Sequence, residues 1–211
     1  MKSIILMNDL FEEIKKNGPE NKCHQPIMKW NKESNKELNK ESKKEYDAEC
    51  CRNIRYFQKN YSWAIPCKEA IECIYNFSEK EKILEIGAGL GLWAQLLKLR
   101  GVNIIATDNF MSHTDKNKER YCYIEDIDAN GAIEKYDVKI LLIIWPPMTN
   151  MATEAVKRFN GNKIIYIGEK KGGCTGNSSF FDLLQKEWKL VSNIDIPNWY
   201  TTNDSIYLYS K

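Results

Sequence analysis

The stretch Lys82-Ile83-Leu84-Glu85-Ile86-Gly87-Ala88-Gly89-Leu90-Gly91-Leu92-Trp93, taken with the run from Val102 to Asp108, decides the fold. Ile83 to Ile86 is a short apolar run holding one Glu, which suits a strand buried on both faces. Glycines follow at alternate positions, Gly87, Gly89 and Gly91, so the backbone can turn sharply and come close to a ligand. Leu92, Trp93, Leu96 and Leu97 then share one helical stripe, and Gly101 suits the C-terminal cap. A second apolar run, 102–106, leads to Asp108. Strand, glycine loop, helix, strand and carboxylate make a nucleoside-binding βαβ unit. The acid lies about twenty residues on, where it can accept hydrogen bonds from ribose hydroxyls.

The spacing is G-x-G-x-G behind Glu85. It is neither the G-x-G-x-x-G of dinucleotide sites nor a loop with a phosphate-binding lysine. The segment LEIGAGLGLWAQLL…GVNIIATD resembles motifs I and II of the class I S-adenosylmethionine-dependent methyltransferases. That resemblance implies that the loop Gly87, Ala88, Gly89 and Gly91 passes under the methionine and ribose parts of the cofactor. Glu85 would support the loop or meet the methionine amino group, and Asp108 would hold the ribose hydroxyls. The remaining alternative is a Rossmann-like domain that binds another nucleotide or none.

Working outward, Cys67, Ala70, Ile71, Ile74 and Phe77 form a helical stripe behind Ser62-Trp63-Ala64-Ile65-Pro66, with Pro66 suited to the first turn. In the family this helix covers the cofactor mouth. Trp63 and Pro66 would then face the methionine end, with packing on the sheet as the alternative for Trp63. After Asp108 the run 109–120, holding His113, is too polar for a long buried helix and reads as a loop or a short helix. Residues 121–127 alternate as a third strand. In the family an acid and a small residue at its end meet the adenine amino group; Asp128 with Ala129 matches, and Asp126 is the alternate. A short helix is expected at 129–136.

The most apolar strand, 138–144, should be central. It ends in Trp145-Pro146-Pro147-Met148, where amino-group methyltransferases carry D/N-P-P-Y/F/W. The prolines remain, while Trp145 stands for the acid or amide and Met148 for the aromatic ring, which argues against a DNA base methylase. A helix at 149–159 and a fifth strand at 163–167 follow. Glu169 and the glycine-rich 170–176 come next, at a strand's carboxyl end where functional residues gather in open α/β sheets. Ser178 can cap a further helix. Strands at 188–196 and 205–209 close the chain. The expected architecture is an α/β Rossmann-like class I methyltransferase sheet, order 3-2-1-4-5-7-6 with strand 7 antiparallel and helices on both faces. The WPP, YIGE…GGCTG and IPNW…D…LY pieces also resemble a small methyltransferase-like family of unassigned substrate.

The 211 residues, with 43% hydrophobic and 11% aromatic side chains, suffice for one domain and an extension. The expected division is 1–55, a short amphipathic helix at 1–17 plus a mixed-charge run at 29–47, and 56–211, the methyltransferase domain. A net charge of +2 provides no global field for nucleic acid. The run 29–47 has too little apolar surface to offset ordering entropy. Seven scattered cysteines and no signal peptide suit reduced thiols and a cytoplasmic setting, that of the host if the gene is viral. No metal is expected, since Cys23, His24, Cys50 and Cys51 have poor spacing for zinc. No apolar run approaches membrane-spanning length.

These readings make S-adenosyl-L-methionine the expected cofactor. The acceptor is open: a planar or amine-bearing small molecule, or a nucleobase. Trp145, Pro146 and Pro147 would border it, with Trp199 and Tyr200 completing an aromatic wall, and Glu169 would act as base or orient the acceptor. The alternatives are an RNA or cap methyltransferase and a catalytically silent cofactor-binding scaffold that meets a protein partner through residues 1–55.

Overall fold

The computed structural model describes residues 55, 58–110, 119–198 and 202–211. The expected features at 1–17 and 29–47, His113, the Cys23, His24, Cys50 and Cys51 set, and Trp199 and Tyr200 lie outside the described residues. The elements are α1 (Lys68–Ser78), β1 (Ile83–Ile86), α2 (Leu92–Arg100), β2 (Ile104–Asp108), β3 (Glu125–Asp126), α3 (Ala129–Lys135), β4 (Ile140–Ile144), α4 (Met151–Arg158), β5 (Lys163–Gly168), α5 (Ser178–Glu187), β6 (Lys189–Asp195) and β7 (Ser205–Ser210).

The strands form one sheet in the order β3-β2-β1-β4-β5-β7-β6. The β1–β2, β1–β4, β2–β3 and β4–β5 pairs are parallel. β7 runs antiparallel between β5 and β6. This is the order expected from the sequence. The two-residue period of the strands sorts their apolar side chains onto two faces. Ile83, Ile104, Ile140, Leu142 and Ile165 pack with Ile71 and Ile74 of α1 and Leu96 and Leu97 of α2. Leu84, Ile86, Leu141, Ile143 and Ile164 pack with α3, α4 and α5 through Ala132, Ala155, Val156, Phe180 and Leu184. Helices therefore cover both faces, and the central strands are apolar apart from Glu85 and Lys163 because neither face meets water. No described helix is long and apolar enough to cross a membrane.

Four local expectations change. The third strand shrinks to Glu125–Asp126, because the chain before it packs on the glycine loop. Tyr121 N–H donates to the Leu90 carbonyl (2.9 Å), and Ile124 is buried. β4 begins at Ile140, not Val138, because the Lys139 carbonyl is taken by the N–H groups of Asn162 and Lys163. Pro66 stands just before the N-cap of α1, Cys67. The cap of α5 is Asn177, not Ser178: its Oδ1 accepts from Phe180 N–H (2.9 Å) and from the Thr153 hydroxyl (2.8 Å).

That last bond joins α5 to the buried Thr153 of α4, so Asn177 serves two elements at once. Asn177→Ala should lower stability by about 1–2 kcal/mol, the upper range for a lost helix cap. Ser178→Ala should stay within about 0.5 kcal/mol of wild type. Urea denaturation of the two variants checks the assignment, which equal losses would contradict.

Candidate functional site

β1 and β4 are neighbours, and a cleft opens at their carboxyl ends. It is open to solvent, and the space along it, open solvent included, is about 520 Å³. One wall is Glu85, Gly87, Ala88 and Gly89; the second is Ile144 and Trp145; the third is the segment that holds Tyr61, Ser62 and Trp63. Trp93 of α2 pins this segment by donating its indole N–H to Ser62 Oγ (3.1 Å) and the Ala64 carbonyl (3.3 Å).

Gly87, Gly89 and Gly91 all have φ in the left-handed region, at 69°, 60° and 80°. At Gly91 a side chain would also meet Cys122 Sγ and Ile124 Cδ1, each at 3.0 Å from an added Cβ. The alternate spacing thus serves a loop that turns three times before α2 begins, with Gly91 as its N-cap. Asp108 fixes this shape. Its Oδ2 accepts from Gly89 N–H (2.8 Å) and its Oδ1 from Phe110 N–H (2.6 Å). Thr107 adds a second tie, donating its hydroxyl to the Glu85 carbonyl (2.9 Å).

Glu85 is the polar member of an otherwise apolar strand and is 1% exposed. Its Oε2 is buried without a hydrogen-bond partner among the described residues. Burial, helped by the charge on Asp108 and partly offset by Lys98, pushes its carboxyl up to about 8. At neutral pH the group is therefore largely protonated. A buried polar atom without a partner costs on the order of 1–3 kcal/mol, which the fold bears at this position.

The sequence-predicted residues divide into groups. Glu85, Gly87, Ala88, Gly89 and Trp145 line the cleft, and Asp108 and Gly91 shape it from behind. Asp128 sits farther along the rim, exposed, where its Oδ1 caps α3 by accepting from Gly131 N–H (2.7 Å). Ala129 opens that helix, half-buried. Asp126 is exposed and pairs with Asp108 across β2 and β3. Pro146 is buried, and its carbonyl accepts from Gly176 N–H (2.9 Å); Pro147 is half-buried.

Glu169 does not line the cleft. Its Oε2 accepts from Cys174 N–H (2.6 Å) and its Oε1 from Asn203 N–H (3.0 Å). Its carboxylate joins the glycine-rich turn to the approach of β7, with one backbone donor on each oxygen.

Two features were not singled out in the sequence. Trp145 has φ +48°, in the left-handed region, and its ring stacks on Trp63 at 5.0 Å between centroids. Asp204 is 1% exposed and accepts from the Trp145 indole N–H through Oδ1 (2.9 Å). Its Oδ2 has no hydrogen-bond partner among the described residues. Burial raises its carboxyl to about 6, against the Trp145 bond and with the nearby Glu169 charge. Its sequence signals are its place just ahead of a strand and its being the acid of the IPNW…D…LY piece. Only an antiparallel β7 brings that start to the carboxyl rim.

No family model matches the chain, and no curated protein matches it. Among solved structures it is similar to a candidate RNA methyltransferase of Pyrococcus horikoshii, at 14% identity and TM-score 0.48, over 68% of this chain and 80% of that one. It is also similar to TehB of Haemophilus influenzae, at 14% and 0.48, over 75% of this chain and 66% of that one. A third is the tRNA (uracil-54, C5)-methyltransferase of Pyrococcus abyssi, solved with S-adenosyl-L-homocysteine, at 14% and 0.46, over 68% of this chain and 37% of that one. The strand order and the antiparallel β7 define the fold by themselves: a seven-stranded Rossmann-like sheet with the class I methyltransferase topology.

The pH dependence of stability tests Glu85. An acid whose carboxyl is raised by folding favours the fold when protonated, so wild type loses stability as pH climbs from the ordinary glutamate range through about 8. Glu85→Gln lacks this titration. Its melting temperature should match wild type near pH 5 and exceed it increasingly toward pH 8.5, with a parallel pH profile contradicting the assignment.

Proposed function

We propose that this chain is an S-adenosyl-L-methionine-dependent methyltransferase whose cofactor occupies the cleft at the ends of β1 and β4. The observation that carries this reading is the unpartnered carboxylate oxygen of Glu85 beside a loop of backbone amides. A nucleoside carrying an amino-acid tail suits that chemistry. Its ammonium would meet Glu85, and the pairing would favour the ionised carboxylate.

Asp108 suits the ribose. Its two oxygens offer about four lone-pair sites, and two backbone donors use one on each oxygen. Ribose hydroxyls can take the others. Asp128 keeps Oδ2 beside the Oδ1 that caps α3, and with Ala129 it suits the adenine edge.

The cofactor supplies an activated methyl group, so the protein's work is mainly alignment of the acceptor. Trp145, Pro146 and Pro147 would form the acceptor side, with Trp63 stacked against Trp145. A planar or amine-bearing acceptor fits these aromatic faces. In this reading Glu169 acts by holding the rim loops in place, and a base is needed only for a nucleophile that arrives protonated.

Calorimetric titration with S-adenosylhomocysteine and with adenosine tests the assignment. Wild type should bind both, the former more tightly. Glu85→Gln should weaken S-adenosylhomocysteine by about 10–100-fold, the range for losing a hydrogen bond to a charged group, and leave adenosine unchanged. Absence of wild-type binding would refute the cofactor. Equal weakening of both ligands would refute the role of Glu85.

A further inference from the structure

We propose that Asp204 is a positioning residue: its buried carboxylate holds the Trp145 indole and thereby sets the Trp63–Trp145 stack at the end of β4. Calling that stack an acceptor wall rests on the methyltransferase reading above; the geometry of the stack does not.

Trp145 is the place where the rim is strained. A bulky residue at φ +48° costs on the order of 1–3 kcal/mol and persists only where its surroundings over-determine it. Three contacts do so. Trp145 N–H donates to the Ile167 carbonyl (2.8 Å), its ring lies on Trp63 with 25° between planes, and its indole N–H donates to Asp204 Oδ1 (2.9 Å). The first holds the backbone. The other two decide where the ring points.

Asp204 is itself immobilised. Its N–H donates to Asn198 Oδ1, and its carbonyl accepts from Asn198 Nδ2 (3.0 Å). The residue after it, Ser205, pairs with Gly168 at the end of β5. The residue before it, Asn203, donates to Glu169. The Glu169 clamp and the β5–β7 ladder therefore aim one carboxylate across the end of β5 at the tryptophan on β4. A neutral acceptor would satisfy an indole N–H without the desolvation of a buried acid. A carboxylate adds a shorter, stronger, charge-assisted bond, and its second oxygen is left without a hydrogen bond. The choice of an acid is what a fixed ring orientation requires.

The groups facing Asp204 are Trp145 from β4, Glu169 and Tyr166 from β5, and Tyr207 from β7. No cation among the described residues is paired with it. Loss of its charge below about pH 6 therefore weakens the hold on Trp145 directly.

Stacked indoles couple excitonically, so circular dichroism of the full chain reads the stack without any ligand. The signal is the couplet present in wild type and absent in Trp63→Phe. Wild type should keep it at pH 7.5 and lose part of it on acidification, with a midpoint near 6. Asp204→Ala should lose more than half of it at pH 7.5. Asp204→Asn, a neutral mimic of the protonated acid, should show the reduced couplet of acidified wild type at every pH and lose its pH dependence. A full couplet in Asp204→Ala, or an unchanged pH dependence in Asp204→Asn, would overturn the proposal, and the second criterion decides alone if the alanine variant does not fold. S-adenosylhomocysteine binding by wild type is measured alongside. Failure of wild type to bind that ligand would remove the methyltransferase reading and leave the couplet result standing.

Discussion

The reversal of chain direction along the sheet is the constraint on which the site depends. From β1 the chain moves outward through β2 to β3, then returns across β1 to place β4 on its other side. Crossover connections between parallel strands are right-handed almost without exception, so the two halves diverge and a crevice opens at the carboxyl ends of β1 and β4. Everything with chemical character stands along that crevice. β1 delivers Glu85 and the glycine loop, β2 delivers Asp108, and β4 delivers Trp145. The antiparallel β7 starts at the same rim, where it delivers Asp204.

Two buried acids link this geometry to stability. Glu85 and Asp204 each have an oxygen without a hydrogen-bond partner among the described residues, and burial is the largest cause of the upward shift of each carboxyl. A domain under selection for stability alone would place apolar residues there. Such deficits gather at functional sites, where stability and activity are traded against each other. The two acids differ in what they face. Glu85 lines the cleft and is open to a ligand's charge. Asp204 sits behind Trp145 and acts through the ring it holds.

Much of this is legible in the sequence. The run from Ile83 to Asp108 carries the βαβ unit because its physics is local: apolar residues for a buried strand, glycines for a left-handed loop, a helical stripe and a terminal acid. The strand order is what the resemblance to the class I methyltransferases implies, and five βα units with a closing pair of strands agree with it. The rest depends on contacts between distant residues. The third strand looks long because 121–124 has a strand-like pattern, but its backbone partner is the Leu90 carbonyl and its side chains fill the space over Gly91. Glu169 looks like a free acid at a rim, and only the fold brings Asn203 and Cys174 N–H groups to its two oxygens. Asp204 is 59 residues from Trp145, and nothing local announces that bond.

The central claim is that Glu85 is a buried acid awaiting a cationic amine. The most direct measurement is the pH titration of its carboxyl carbon resonance, assigned against Glu85→Gln, with and without S-adenosylhomocysteine. The account predicts a midpoint near 8 in the free protein and a fall to below neutrality once the ligand's ammonium lies beside the carboxylate. A midpoint in the ordinary glutamate range without ligand, or one that saturating ligand leaves in place, would contradict it.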